Sequence, residues 1–193
     1  MELLITKAKE LGAAGARQID PKRIIVREDL AALCNGSTRC ENYGLAMSCP
    51  PNVEGPEKFR SWIKQSDASI VVKINVPKDM MFSGELGSLM TQLHNIVAGV
   101  EIHAKSLGYK NTRSFAGGSC KKLFCSSEKN CQVVNGSGPC RFPDMARPSM
   151  SGFGIDVIQL MHEAGWPVKK ADRRDTDQDE NSGWIAGLVL VAG

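Results

Sequence analysis

The residues best suited to chemistry in this 193-residue chain are its seven cysteines. Four lie in one glycine-framed loop of 21 residues: Cys120, Cys125, Cys131 and Cys140. The other three lie in the first half: Cys34, Cys40 and Cys49. These three are separated by five and eight residues, and the last three cysteines of the loop repeat that spacing at a constant offset of 91. A thiol pattern that occurs twice predicts two metal centres.

The thiols are expected to be reduced. The N-terminal MELLITKAKELGAAG is neither a signal peptide nor a membrane span, so we expect a cytoplasmic protein without membrane contact. Cysteines in that compartment bind metals more often than they form disulfides, and an odd number leaves one thiol unpaired. A net charge of +3 without a long basic run, with 6% aromatic residues, gives no indication of nucleic-acid binding.

Iron–sulfur clusters are the metal centres that the cysteines favour. A four-iron cluster needs four ligands, usually thiolates, and the 21-residue loop supplies four. Zinc more often uses closely spaced C-x2-C pairs, which the sequence lacks. We therefore predict two [4Fe-4S] clusters, with zinc as the alternative.

The first cluster lacks a fourth cysteine, because the offset places Asp29 where the second half has Cys120. Asp29 ligates iron in one alternative, and in another the fourth iron is open to substrate. In a third, Cys120 crosses over to the first cluster, as ligands do in duplicated ferredoxins. Asp29 is otherwise a cap for a helical turn at 30–33. Seven thiols cannot complete two four-iron cubes, so one cube is differently ligated.

Charged and polar neighbours of the cysteines are candidates for further roles. The basic residues beside the ligands are expected to raise the cluster potential, or to form a solvated surface: Arg39, Lys121, Lys122, Lys129 and Arg141. Arg141 and Arg147 are candidates to bind an anionic substrate or partner, and Tyr43 is a candidate hydrogen-bond or proton donor. The three histidines are interpreted as surface or core residues, and the acidic segment 172–180 as a solvated connection or a lid.

Apolar periodicity predicts the elements that position the cysteines. The predicted helices are Glu2–Leu11, Glu57–Gln65, Ser83–Leu107 and one from Ser149 to Gly165. The predicted strands are Ile24–Val26, Ser69–Val76, Thr112–Ala116 and Trp184–Ala192. Each half therefore runs helix, short strand, cysteine loop, helix, strand.

The expected fold class is α/β, with residues 1–193 forming a single domain. Two pseudo-repeats, about 1–77 and 83–193, would surround a small mixed or parallel sheet. Because both cysteine loops follow a predicted strand, we expect them to meet at one edge of the sheet.

The chain resembles a bacterial and archaeal family of cysteine-rich, predicted metal-binding proteins of unknown function, of iron–sulfur type. In the first half the resemblance rests on Cys40-x2-Tyr43-Gly44-x4-Cys49-Pro50-Pro51. In the second half it rests on Gly118-x-Cys120, Cys125, Cys131, Cys140-Arg141-x-Pro143, Arg147-Pro148-Ser149-Met150 and Gly154-Ile155-Asp156-Val157. The resemblance implies metal binding at these cysteines and implies no particular reaction.

The functional hypothesis is an iron–sulfur protein with one electron-transferring cluster and one site-differentiated cluster. The second cluster would reduce a small anionic substrate or donate sulfur to it, with electrons from a redox partner protein. The alternatives are an electron carrier or maturation partner without its own substrate, and a zinc-stabilised interaction module. An oligomer is compatible with each.

Overall fold

The structure, a computed structural model, describes residues 1–37, 39–81, 83–166, 168 and 183–193. They form seven α-helices and four β-strands, which confirms the α/β composition. The helices are α1 (Glu2–Glu10), α2 (Glu28–Ala32), α3 (Gly55–Gln65), α4 (Lys78–Met81), α5 (Leu86–Ser106), α6 (Cys120–Phe124) and α7 (Val157–Glu163). The strands are β1 (Gly15–Ile19), β2 (Ala68–Val76), β3 (Arg113–Phe115) and β4 (Gly183–Val191).

The four strands form an antiparallel sheet in the order β1-β2-β4-β3. The prediction of a mixed or parallel sheet is therefore wrong. Parallel strands need a crossover connection that brings the chain back in the same direction. Strands β2 and β4 are the long strands that end the two halves, and they pair antiparallel over nine residues.

Both faces of the sheet are covered by helices, so the strands are apolar on both sides. Along β4, Val189 and Val191 pack into the core that α1 and α5 cover, whereas Leu188 and Leu190 pack into the core beside α3 and α7. This alternation is the two-residue period of a strand. The core beside α3 and α7 contains packed aromatic rings, and the ring centroids of Phe59 and Phe115 lie 5.0 Å apart.

The predicted strand Ile24–Val26 is not a strand. A 3₁₀ turn, Pro21–Arg23, precedes it, and the Asp20 carboxylate accepts a hydrogen bond from the backbone N–H of Lys22 at this turn. Of the three residues only Val26 makes a β-bridge, antiparallel to Ile155. The edge strand β1, absent from the sequence prediction, pairs with β2 instead.

The helix predicted from Ser149 is replaced by two shorter elements. A 3₁₀ turn, Met150–Phe153, ends at Gly154, whose φ of 68° is left-handed. Glycine adopts this conformation at little cost, and it redirects the chain. Helix α7 then begins after Asp156, whose Oδ1 accepts a hydrogen bond from the N–H of Gln159 at 3.1 Å.

The remaining predicted elements are present, with ends that differ by at most three residues. Helices α4 and α6 were not predicted. The acidic segment 172–180 lies outside the described residues. Within the part of the chain that the structure describes, no helix is long and apolar enough to cross a membrane.

The two halves share an order of elements. The first runs α1, β1, α2, cysteine loop, α3, β2, and the second runs α5, β3, α6, cysteine loop, α7, β4. Helices α2 and α6 each end within two residues of the first cysteine of a repeated triplet. Internal duplication stays a prediction.

Candidate metal centres

The seven cysteines lie in two groups that match the sequence prediction. Three line a cavity of ≈ 470 Å³, called here the three-cysteine site: Cys34, Cys40 and Cys49. Four line a smaller cavity of ≈ 20 Å³, called here the four-cysteine site: Cys120, Cys125, Cys131 and Cys140. All seven are free thiols. Among the described residues, no three histidine, cysteine or acidic side chains lie close enough together to hold a single metal ion.

The three-cysteine site is built where the first cysteine loop meets the start of α7. The backbone N–H of Arg27 donates to the carbonyl of Gly154 at 2.8 Å, and the N–H of Asp156 donates to the carbonyl of Ile25 at 3.0 Å. This pairing places the apolar start of α7 against the cavity, including Ile158. Tyr43 also lines the cavity, and the Arg39 guanidinium lies 4.5 Å from the centre of its ring.

The four-cysteine site is formed by α6 and the loop that follows it. Cys120 begins α6, and Phe124 at its end packs against Phe142, with 5.6 Å between ring centroids. The backbone N–H of Phe142 donates to the sulfur of Cys140 at 3.4 Å. The residues from Cys125 to Ser149 form no helix or strand, so turns position the last three thiols.

The two sites share a wall to which each half of the chain contributes. Ala46, from the first loop, lines the four-cysteine site, whereas Gly118 and Ser119, from the second loop, line the three-cysteine site. Between them, the backbone N–H of Cys120 donates to the hydroxyl of Ser48 at 3.3 Å. The two cysteine loops therefore meet, as the sequence predicted.

Burial opposes ionisation of two thiols, one in each site. It raises the pKa of Cys120 to about 11, although the neighbouring Ser48 hydroxyl partly opposes the shift. Burial also raises the pKa of Cys34, and the neighbouring Cys40 and Cys49 add to the effect. Because a metal ligand must be a thiolate, metal binding at these positions releases protons.

Cys131 has surroundings that favour the thiolate. Burial raises the pKa of Cys131, but backbone N–H groups of Val134, Met47 and Val133 and the charge of Arg141 outweigh it, so the pKa falls below its ordinary value. Burial raises the pKa of Cys125, and Arg141 opposes that shift. N–H groups directed at sulfur are a common feature of iron–sulfur sites.

The predicted basic neighbours have separate partners. Arg141 lines the four-cysteine site and pairs with Glu128 at 3.0 Å. Lys121 donates to the carbonyl of Cys125 at 2.7 Å and to that of Glu128. These two residues therefore act within the second loop. Lys122 forms an exposed pair with Glu41 at 2.9 Å, and Lys129 is exposed.

Comparison with known proteins identifies the family. Residues 17–191 match the family described as "Predicted metal-binding protein (DUF2284)". The chain belongs to this family. The match includes all seven cysteines, so the part of the chain that carries both sites lies within a family predicted to bind metal. No curated protein and no solved structure matches the chain.

Two candidate residues in this DUF2284 chain lie away from the cysteine cavities. Asp29 is exposed, pairs with Arg27 at 2.6 Å and is not among the residues that line the three-cysteine site. The hydrogen bond from Arg27 lowers the pKa of Asp29. Arg147 is buried in an ion pair with Glu101 at 2.8 Å and also donates to the carbonyl of Pro143. Arg147 therefore holds the end of the second loop against α5.

His94 is a residue whose role sequence reasoning missed. Its Nε2 lies 3.1 Å from the carbonyl of Gly117, and its Nδ1 accepts a hydrogen bond from the backbone N–H of Arg147 at 3.1 Å. The ring also packs edge-on against Phe124. His94 thus ties together the two ends of the second loop. The sequence does contain a signal that His94 is buried, because it lies in the apolar stripe of α5 beside Leu93 and Val97.

Proposed function

We propose that this metal-binding protein holds two [4Fe-4S] clusters, one at each cysteine site. The observation that carries the proposal is the division of seven free thiols into a group of four and a group of three around adjacent cavities. Thiolate sulfur is the usual protein ligand of iron–sulfur clusters. A cluster supplies one-electron redox chemistry when it is bound.

The four-cysteine site fits an electron-transferring cluster with complete thiolate ligation. N–H groups near Cys131 and Cys140 supply the hydrogen bonds to sulfur that stabilise a negative cluster. The enclosed space of ≈ 20 Å³ is smaller than a four-iron cube. The thiols must therefore move apart on assembly, which the lack of helix and strand from Cys125 to Ser149 permits without breaking an element.

The three-cysteine site fits a site-differentiated cluster with an open coordination position. Asp29 lies away from the cavity and is neutralised by Arg27. Cys120 lines the other site. The remaining space of the ≈ 470 Å³ cavity would hold a substrate next to the open position. Reduction or sulfur transfer is the class of reaction that we propose.

The lining favours a small neutral substrate over the predicted anion. Of the described residues that line the three-cysteine site, none is a lysine or arginine, and the one ionisable carboxylate belongs to Asp156. Most of the lining is apolar, with the hydroxyls of Tyr43 and Ser151 among the polar groups. An anion would enter such a site without a cation to balance its charge.

Internal duplication is part of the proposal. It is supported by the identical order of elements in the two halves and by the strand order β1-β2-β4-β3, in which the corresponding strands are arranged symmetrically about the β2–β4 pair. The short helices α2 and α6 also occupy corresponding positions next to the cysteine triplets. Replacement of a ligand in one repeat would have produced the three-cysteine site.

Exogenous ligands test the open position. Cyanide added to the reduced protein under anaerobic conditions should change the EPR spectrum of one cluster and leave the other unchanged. The Cys49→Ser variant should lose the cyanide-sensitive signal, whereas Cys125→Ser should lose the insensitive one. If cyanide changes the EPR spectrum of neither cluster, the result contradicts an open coordination position.

An electron carrier without its own substrate is the second candidate. Large apolar side chains are exposed close to the cysteines: Leu33, Met47, Val134 and Ile158. Exposed apolar groups around a redox centre suit transient docking of a redox partner protein. This candidate predicts that neither cluster responds to cyanide.

A further inference from the structure

We propose that Ser48 is a positioning residue shared by the two metal centres, through a hydroxyl that donates to the Cys49 sulfur and accepts from the backbone N–H of Cys120. The inference rests on the proposed clusters. It assigns a task to a serine that is not a proposed ligand and that occupies an unspecified position of the motif Gly44-x4-Cys49.

Ser48 lies between a cysteine of the three-cysteine site and a cysteine of the four-cysteine site. The residue is 5% exposed, so its polar groups depend on protein partners. Its Oγ lies 3.6 Å from the sulfur of Cys49 and 3.3 Å from the backbone nitrogen of Cys120. Its carbonyl accepts a hydrogen bond from the N–H of Ser149 at 3.0 Å. Ser48 is therefore fixed by contacts with residues of both cysteine loops.

The direction of each hydrogen bond follows from the number of protons. A serine hydroxyl has one proton and can accept through its oxygen. The N–H of Cys120 can only donate, so it binds the oxygen and leaves the single proton free for another acceptor. A ligand thiolate has no proton and can only accept. The Cys120 sulfur is a second neighbour of this hydroxyl, but the hydrogen-bond geometry is met at Cys49, whose sulfur lies 3.6 Å from Oγ, so the Ser48 proton is directed at the Cys49 sulfur.

This arrangement couples a ligand of one centre to the backbone of the other. A hydrogen bond to a ligand sulfur stabilises the more negative, reduced state of a cluster and raises its reduction potential. Ser48 should therefore raise the potential of the three-cysteine centre. Because the amide of Cys120 fixes the orientation of the hydroxyl, a change in the four-cysteine loop would alter that potential as well.

The test compares Ser48→Ala with Ser48→Thr, which keeps the hydroxyl. Ser69→Ala is the matched control, because Ser69 is also a buried serine but donates to the carbonyl of Ile19 in the sheet. Iron content and the midpoint potential of each centre, from EPR-monitored redox titration with dithionite, are measured for all four proteins. Activity is not needed.

We expect Ser48→Ala to keep both clusters and to shift the three-cysteine centre to a more negative potential. The loss of one charge-assisted hydrogen bond should change the equilibrium constant for its reduction roughly tenfold. Ser48→Thr should restore the potential, and Ser69→Ala should leave it unchanged. If Ser48→Ala loses iron, the proposal requires Ser48→Thr to retain it.

The inference is overturned if the three-cysteine centre of Ser48→Ala keeps the wild-type potential. It is also overturned if both Ser48 variants lose iron, because Ser48 would then act through packing and not through its hydroxyl. Either result leaves the two clusters of the wild-type protein intact, so the proposed function survives. A wild-type protein without iron would instead contradict the proposed function itself.

Discussion

His94 is the buried titratable side chain that joins the two ends of the second cysteine loop. Burial lowers its pKa to about 4, and the positive charge of Arg147 contributes, although the hydrogen bond to the Gly117 carbonyl partly opposes the shift. The imidazole is therefore neutral at neutral pH. This state matches its contacts, because Nδ1 accepts from the N–H of Arg147.

Because the pKa of His94 is lower in the folded state, acid should destabilise the protein through this residue. Above about pH 6.5 neither state binds the proton. As the pH falls from about 6.5 to about 4, the unfolded chain takes up a proton that the folded chain excludes. The cost should reach on the order of 2 to 3 kcal/mol near the lower limit.

The His94→Gln variant isolates that cost, since glutamine keeps a donor and an acceptor but does not titrate. The free energy of unfolding, from urea titrations between pH 7 and pH 4, should fall less in His94→Gln than in the wild-type protein. The cysteines are the same in both, so acid effects on the clusters cancel in the difference. Equal pH dependence in the two proteins would refute the role of His94.

At this scale, the sequence predicted which cysteines lie together but not which residues contact them. The spacing of the cysteines was sufficient because each group is held within one or two loops. Ser48 and His94 contact residues that are 72 and 53 positions away, and no local pattern records such contacts. The Asp29 hypothesis depended on the offset alone, and Arg27 holds that carboxylate away from the cavity.

Gly154 is the point at which two elements of the three-cysteine site meet. It ends the 3₁₀ turn Met150–Phe153, and its carbonyl accepts the N–H of Arg27. A Cβ at this position would lie 2.1 Å from the carbonyl oxygen of Arg27, and the backbone is left-handed with φ +68°. Both the conformation and the close approach exclude a side chain.

Gly154→Ala should therefore destabilise the protein more than an alanine at a glycine with space around it. Gly136 is the matched control, because its φ is +71° and no atom lies within 4 Å of a Cβ there. Gly136→Ala should cost about 1 kcal/mol from the backbone conformation alone. Gly154→Ala should cost at least about 2 kcal/mol more in urea unfolding, because the backbone of Arg27 must move. Equal costs would contradict the close packing.

Among the elements, long periodic segments were predicted best. Helix α5 has an apolar stripe that repeats over five turns, so its type was clear. The β-branched residues Ile24–Val26 led to the wrong prediction of a strand, because Asp20 and Pro21 favour a turn just before them. Glycine at positions 152 and 154 likewise interrupted the predicted helix from Ser149.

At the scale of the whole molecule, the sheet joins the two halves through the β2–β4 pair. Its topology could not be predicted, because strands buried on both faces are apolar in parallel and antiparallel sheets alike. Gly187 illustrates how closely the layers pack, since a Cβ there would lie 2.5 Å from Val97 of α5. The two cysteine loops, one from each half, meet where the N–H of Cys120 donates to the hydroxyl of Ser48.

The central claim, that these seven thiols hold two four-iron clusters, is tested most directly by metal analysis of anaerobically purified protein. Iron and acid-labile sulfide should each be present at about eight per chain, and the protein should be brown. A content of iron and sulfide near zero, with zinc bound in a colourless protein, would contradict it.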